Sequence, residues 1–165
     1  NTLFAFGAIF AAGVHGMDFE EILLFGIALN VTAGLGAAGI GLVEDRMGSK
    51  RTVMVALVAM IVLGAALLLT GSKTVFWGMA MALGIFMGPA QAASRTLMAR
   101  MAPEGEIAAH FGLFALSGRI TGFAGPAVLA MVTAATGSQR AGMAAVLVLL
   151  GVGAAILATV RPVRG

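Results

Sequence analysis

Arg119 is a basic side chain that lies well inside a long apolar stretch of the sequence. It follows the start of a helix predicted over residues 111–135 by about eight residues, or roughly 12 Å. Burial of a guanidinium near the middle of a bilayer costs about 2.5 to 3.5 kcal/mol, so we expect Arg119 to face a wet cavity or a polar partner. Because a guanidinium can bind a carboxylate through two parallel hydrogen bonds, Arg119 is a candidate residue for binding a small acid.

Three further polar residues lie in apolar stretches. Gln91 and Arg95 are four residues apart and share a helix face. Asn30 lies near the middle of another predicted helix, where an amide either bonds to a neighbouring helix, which is the commoner case, or faces a cavity. Arg119 also has a structural alternative: it can snorkel to the membrane surface or bond to backbone carbonyls near a kink expected at Pro89.

A dense charged segment, residues 41–51, separates two long uncharged runs. Its defining residues are Gly41, Asp45, Arg46, Gly48, Lys50 and Arg51. Gly48 permits the positive φ that a tight reversal between two helices requires, and the following cations can hold a helix start at anionic headgroups. Asp45 can pair with Arg46, or it can face the positive N-terminal end of another helix. The segment either has a functional role or is a solvated turn that sets topology.

The composition indicates an integral membrane protein. Hydrophobic residues make up 60% of the 165 residues and charged residues 10%, whereas charged residues are about a quarter of a soluble chain. The mean hydropathy is +1.04. The 24 glycines indicate closely packed membrane helices, and the lack of cysteine excludes a disulfide or a thiolate metal site.

The hydropathy pattern predicts an all-α membrane protein with six transmembrane helices, since a crossing needs about 20 apolar residues. The first helix, over residues 2–14, is short, so we interpret it as truncated and the chain as a piece of a longer protein. The other five are expected over residues 21–43, 52–70, 74–98, 111–135 and 141–160. The third is expected to face lipid, and Asp18 is expected to cap the second. In the fourth, Gly84 and Gly88 predict close packing, and Pro89 predicts a freed carbonyl that needs a partner.

Basic residues divide unevenly between the two ends of these helices. The end with the charged segment carries seven, and the other end carries Lys73 and Arg140. The seven are Arg46, Lys50, Arg51, Arg95, Arg100, Arg161 and Arg164. By the positive-inside rule the charged segment and the C-terminus are cytoplasmic.

The spacing Gly-x-x-x-Asp-Arg-x-Gly-x-Lys-Arg in the charged segment resembles the signature loop of the major facilitator superfamily. That loop joins the second and third helices of each six-helix half, on the cytoplasmic side. The resemblance implies that residues 1–165 are one domain, the C-terminal half of such a transporter, built from two inverted three-helix repeats. Its partners are then the bilayer, an N-terminal six-helix half and a small polar solute. Residues 88–100, 111–119, 125–126 and 136–140 narrow the resemblance to the vacuole-effluxer-like branch, whose fungal members are associated with amino-acid export.

The resemblance implies a secondary active transporter, or half of one, that moves a small polar solute such as an amino acid by alternating access. A non-transporting assembly or regulatory module that keeps the fold is the alternative. We expect no enzyme activity, because metal-ligand spacing, cysteine and a carboxylate pair at membrane depth are all missing from the sequence. We also expect no cofactor, no metal and no nucleic-acid partner, and we expect the membrane to be a bacterial plasma membrane.

The resemblance also implies roles for the two sets of residues. Family topology brings Arg119 toward Asn30, Gln91 and Arg95 at a substrate site between the two halves. The charged segment acts as a conformational switch in which Asp45 and Arg46 latch the cytoplasmic side and favour the outward-open state.

Overall fold

The computed structural model describes residues 7, 10–14, 16–103 and 105–160, with the backbone alone for residues 40–43. Five long helices follow one another: α1 (Phe19–Met47), α2 (Ser49–Leu69), α3 (Lys73–Met101), α4 (Ile107–Thr136) and α5 (Gln139–Thr159). They correspond to the second to sixth predicted helices. Residues 10–14 are also helical, and the remainder of the first predicted helix, apart from residue 7, lies outside the described residues.

All five helices are long and apolar enough to cross a membrane, and the described part of the chain contains no strand. An all-helical multi-pass membrane protein is therefore confirmed. The helices are longer than predicted: α1 extends to Met47 and α4 begins at Ile107. Charged residues continue α1 past its apolar stretch, whereas α4 gains three apolar residues, 107–109, on the other side of His110.

The helix ends explain where the chain turns. At the start of α1, Asp18 Oδ1 accepts a hydrogen bond from Glu21 N–H at 2.8 Å, and Glu21 Oε2 accepts one from Asp18 N–H at 3.3 Å. This reciprocal capping box satisfies two backbone donors and confirms the cap predicted for Asp18. At the far end of α4, Gly137 has φ 66°, a left-handed conformation that lets the chain turn directly into α5.

α1 and α3 pack so closely that their backbones touch. A Cβ on Gly88 would overlap the carbonyl oxygen of Ala33, and a Cβ on Gly84 would overlap Thr32 Oγ1. The small residues of both helices therefore permit the contact, as their spacing predicted for Gly84 and Gly88.

Pro89 lies inside α3 and is buried. A proline there removes the helical donor to the carbonyl four residues earlier, that of Ile85. This carbonyl lies against Gly36 of α1, where a Cβ would overlap it. Gly36 therefore accommodates the Ile85 oxygen at close range, a recurrent geometry at helix–helix contacts.

α2 buries one face and exposes the other. Val53, Ala56 and Met60 are buried, whereas Val55 and Val62 on the opposite side are about half exposed or more. The buried face packs against α3 and α5, and a Cβ on Gly64 would meet the side chain of Leu147 in α5. One face of this helix therefore packs against protein, unlike the lipid-facing helix expected, because a wholly apolar sequence does not reveal which side meets protein.

One ion pair occurs within the described part of the chain, at the end of the bundle opposite the charged segment. Lys73 Nζ, in the first turn of α3, lies 2.5 Å from Glu21 Oε1 and 2.6 Å from Glu21 Oε2 in the first turn of α1. Close to the same end, Phe25 stacks on Phe76 with ring centroids 5.4 Å apart and meets Trp77 edge to face at 5.3 Å. The starts of α1 and α3 are therefore joined by both charge and aromatic packing.

Candidate functional site

The charged segment is mostly helix, which differs from the loop that its composition predicted. Gly41, Asp45 and Arg46 belong to α1, and Lys50 and Arg51 belong to the first turn of α2. Gly48 alone interrupts the helix, with φ 81° and ψ 149°, and its N–H donates to Glu44 O at 2.8 Å. A side chain at residue 48 would be strained at this φ, so glycine is what makes a one-residue break possible.

A buried hydrogen bond joins the residues on the two sides of this break. Ser49 Oγ donates to Glu44 Oε1 at 2.5 Å, and the two residues are 3% and 7% exposed. The sequence singled out neither residue. The sequence pattern that could have indicated this bond is a serine directly after Gly48, five residues after Glu44. A hydroxyl at that position can reach back to a carboxylate in the last turn of the preceding helix.

Lys50 fixes α2 to the end of α5. Its Nζ donates to Ala158 O at 3.0 Å and to Val160 O, which are among the last carbonyls of α5 and its C-terminal cap. A cation satisfies carbonyls that lack an intrahelical donor and interacts favourably with the negative helix end. The predicted contact of Lys50 with lipid headgroups is thus replaced by a contact within the protein, whereas Arg51 is exposed.

Asp45 and Arg46 are both exposed, and neither forms an ion pair with any described residue. Consecutive residues of a helix point about 100° apart, so Asp45 and Arg46 do not face each other. Of the two alternatives given by the sequence, pairing between these neighbours is not observed. Both side chains remain available to a second protein surface.

The four candidate substrate residues are exposed in the structure. They are Asn30 on α1, Gln91 and Arg95 on α3, and Arg119 on α4. No hydrogen bond or ion pair joins any two of these described residues; Asn30 Nδ2 donates instead to Gly26 O in its own helix, at 2.8 Å. The structure therefore leaves the four side chains accessible without assembling them into one contact.

Helix bounds give the depth of each candidate from the end that carries the charged segment. Gln91 is ten residues from Met101, or roughly 15 Å, and Arg119 is twelve residues from Ile107, or roughly 18 Å. Arg119 is therefore deeper than the roughly 12 Å predicted, because α4 begins four residues earlier. Arg95 lies nearer that end, and Asn30, seventeen residues from Met47, lies roughly 26 Å from it. Counted along their own helices, Arg119 and Gln91 thus lie at similar distances from this end.

α4 is the most exposed of the helices near these candidates. Leu116, Ile120 and Phe123 are 55%, 62% and 78% exposed. α4 packs against α5 and touches α3 less extensively, and a Cβ on Gly142 of α5 would overlap Thr133 Oγ1. Arg119 thus lies on a helix whose apolar surface is largely uncovered in this chain.

Comparison with known proteins places these features among membrane transporters. A family profile described as "Vacuole effluxer Atg22 like" matches residues 72–165, more than half of the chain. Autophagy-related protein 22 from Cryptococcus neoformans is 26% identical over 173 residues, covering 95% of this chain and 30% of that protein in strain JEC21, or 32% in strain B-3501A. The "Uncharacterized MFS-type transporter YxiO" of Bacillus subtilis is 23% identical over 145 residues, covering 88% of this chain and 34% of that protein.

The chain spans about a third of the length of these curated relatives. No solved structure matches it significantly. The family description names an effluxer and the bacterial relative is named a transporter, which agrees with the prediction that the chain is not an enzyme.

Proposed function

Because the chain belongs to the vacuole effluxer Atg22-like family, we propose that it is one half of a secondary active transporter for a small polar solute. The proposal pairs it with a second six-helix half of the same transporter, the two halves moving around a shared site by alternating access. The exposed apolar surface of α4 supports this, since such a surface in one half would be covered by the other or would line their interface. In this proposal the chain is the C-terminal half, with six helices in two inverted repeats.

The observation that carries the substrate proposal is the depth of Arg119. In this proposal, a guanidinium roughly 18 Å along α4 and the Gln91 amide roughly 15 Å from the end of α3 provide a charged fork and an amide at similar depth in a cavity between two halves. This combination suits a carboxylate, as in an amino acid. Arg95 lines the solute's path nearer the end with the charged segment. Asn30 lines the same path further from that end.

Substitution of Arg119 in the complete transporter tests the proposal. Substrates found by screening amino acids in proteoliposomes should bind Arg119→Gln roughly 10- to 100-fold more weakly, since a hydrogen bond to a charged group is worth about 1.5 to 3 kcal/mol. Arg119→Lys should retain part of the affinity, because it keeps the charge and loses the fork. Equilibrium binding and uptake are measured at equal membrane levels.

Arg140→Gln is the matched control, because Arg140 is an exposed arginine in the first turn of α5 at the opposite end. It should bind substrate as the wild type does. Wild-type affinity in Arg119→Gln would make Arg119 structural. Absence of uptake for every solute tested, with a folded complete protein, would favour the non-transporting module instead.

We further propose a bacterial plasma membrane, with the charged segment and C-terminus cytoplasmic and with Asp45 and Arg46 as a latch toward the other half. The support is the unequal count of basic residues at the two ends, and the exposure of both latch residues without a described ion-pair partner.

A further inference from the structure

A cavity of about 570 Å³ opens between α2, α3 and α5, at the end of the bundle that carries the charged segment. The start of α2, the last two turns of α3 and the end of α5 form its walls. The cavity is separate from the candidate substrate residues, because Asn30, Gln91, Arg95 and Arg119 do not line it.

Two arginines of this cavity are free to bind an anion. Arg51 and Arg100 both line it, both are exposed, and neither forms an ion pair with a described residue. Lys50 lines it as well, but its ammonium donates to the carbonyls of Ala158 and Val160. Three cations and no acidic residue are among the described residues that line the cavity, and the nearby Glu44 carboxylate is engaged by Ser49. Two guanidinium groups offer up to ten N–H donors, which matches the acceptor oxygens of a phosphate.

The remaining wall is apolar, which distinguishes this cavity from a site for a free anion. Met54, Leu97 and Met101 line it beside the two arginines, and all three are only partly buried. Basic groups next to exposed apolar side chains, at the end of helices long enough to span a bilayer, match a phosphate that is joined to hydrocarbon.

We propose that this cavity binds the phosphate of an anionic phospholipid, with Arg51 and Arg100 as hydrogen-bond donors. The part of an acyl chain nearest the headgroup then packs against Met54 and Leu97. The lipid then contacts three helices at once, α2, α3 and α5, and stabilises their packing at this end. This proposal does not depend on which solute is transported, or on whether any is.

Native mass spectrometry with phosphatidylglycerol and phosphatidylcholine tests it. The wild type in detergent should bind one phosphatidylglycerol more tightly than phosphatidylcholine. Arg51→Gln/Arg100→Gln should weaken phosphatidylglycerol binding by roughly tenfold or more, given the contribution of each surface cation. Arg51→Lys/Arg100→Lys keeps both charges and should bind within a few fold of the wild type, which excludes misfolding as the cause of the loss.

Two controls distinguish lipid binding in this cavity from nonspecific attraction of the lipid to positive charge. Arg46→Gln/Arg140→Gln removes the same charge from exposed arginines outside the cavity and should leave binding unchanged. Ala158→Leu changes no charge but places a larger side chain in the cavity wall, and it should weaken binding. Equal loss in the two arginine pairs would overturn the proposal. Binding of inorganic phosphate without binding of phosphatidylglycerol would also overturn it, in favour of a free-anion site.

Discussion

At the scale of single residues, the Glu44–Ser49 hydrogen bond carries the clearest energetic consequence. Both groups are buried, so a carboxylate oxygen that loses its donor there is left without water to replace it. The bond also spans the one-residue break at Gly48, where few backbone hydrogen bonds hold α1 to α2. Ser49 is therefore important for stability, although its sequence context did not single it out.

Ser49→Ala should lower the free energy of unfolding by about 1 to 3 kcal/mol, the penalty for an unsatisfied buried polar group. The double variant Glu44→Ala/Ser49→Ala should be less destabilised than the sum of its single variants, because it removes both partners. Reversible unfolding in mixed micelles with a denaturing detergent measures each value.

Ser72→Ala is the control for this prediction. Ser72 also precedes a helix, as the N-cap of α3, but it is exposed and its side chain makes no capping hydrogen bond. Its substitution should change stability by no more than about 0.5 kcal/mol. An equal effect at residues 49 and 72 would mean that the buried bond contributes nothing.

At the scale of the helices, the contact of α1 with α3 depends on glycines that differ in what they touch. Gly34 and Gly36 are two residues apart on α1, but of the two only Gly36 lies against the Ile85 carbonyl. A Cβ on Gly34 would meet nothing within 4 Å. The same substitution at these two positions therefore separates the effect of packing from that of helix propensity.

Gly36→Ala should destabilise the chain by about 1 to 3 kcal/mol, as expected when a methyl group is forced into a packed contact. Gly34→Ala should be neutral within about 0.5 kcal/mol, or slightly stabilising, because alanine favours a helix over glycine. Thermal unfolding of the two variants in the same detergent makes the comparison. A result in which Gly36→Ala is as stable as Gly34→Ala would show that the two helices separate at little cost.

The helices were predictable from sequence to the extent that apolar runs, caps and small residues are local signals. Asp18, Gly84 and Gly88 behaved as their types and spacing indicated. The end of α1 was not predictable from hydropathy, since charged residues continue that helix, and the start of α4 was missed because apolar residues precede the polar His110. The candidate substrate site could not be assembled from sequence either, because the depth of Asn30 relative to Gln91 depends on how α1 aligns with α3. The contact of Lys50 was also not predictable, because its partner is more than a hundred residues away.

At the scale of the whole molecule, the proposed role of the charged segment in a transport cycle requires a second protein surface, because Asp45 and Arg46 pair with no described residue. In the complete transporter, Asp45→Asn should shift the balance toward the inward-open state by roughly two- to fivefold, given about 0.3 to 1 kcal/mol for a charge at an exposed helix terminus. The alkylation rate of a cysteine introduced at Ser117, exposed on α4 near Arg119, reports this shift. These 165 residues contain no cysteine, so an interfering thiol would belong to the other half and is replaced before the measurement.

Glu106→Gln is the control, because Glu106 is an exposed acid at the same end that forms no ion pair with a described residue. It should leave the alkylation rate at residue 117 unchanged. Cysteines at residues 72 and 106 calibrate the orientation, since the first should react in intact cells and the second only after permeabilisation. The same rate in Asp45→Asn and the wild type would restrict the charged segment to setting topology.

The contact between α1 and α3 has a mechanical consequence for that cycle. Their backbones touch at Gly36 and Gly88, and Glu21 and Lys73 join their first turns, so the two helices are held together from their first turns to their middle. Asp45 and Glu21 are 24 residues apart on α1, or roughly 36 Å. When a stiff rod tilts about its middle, its two ends move in opposite directions. In the proposed transport cycle, a pair of helices that tilts as one rod moves inward at Asp45 and outward at Glu21, so the two ends of the bundle alternate without a relay of side chains between them.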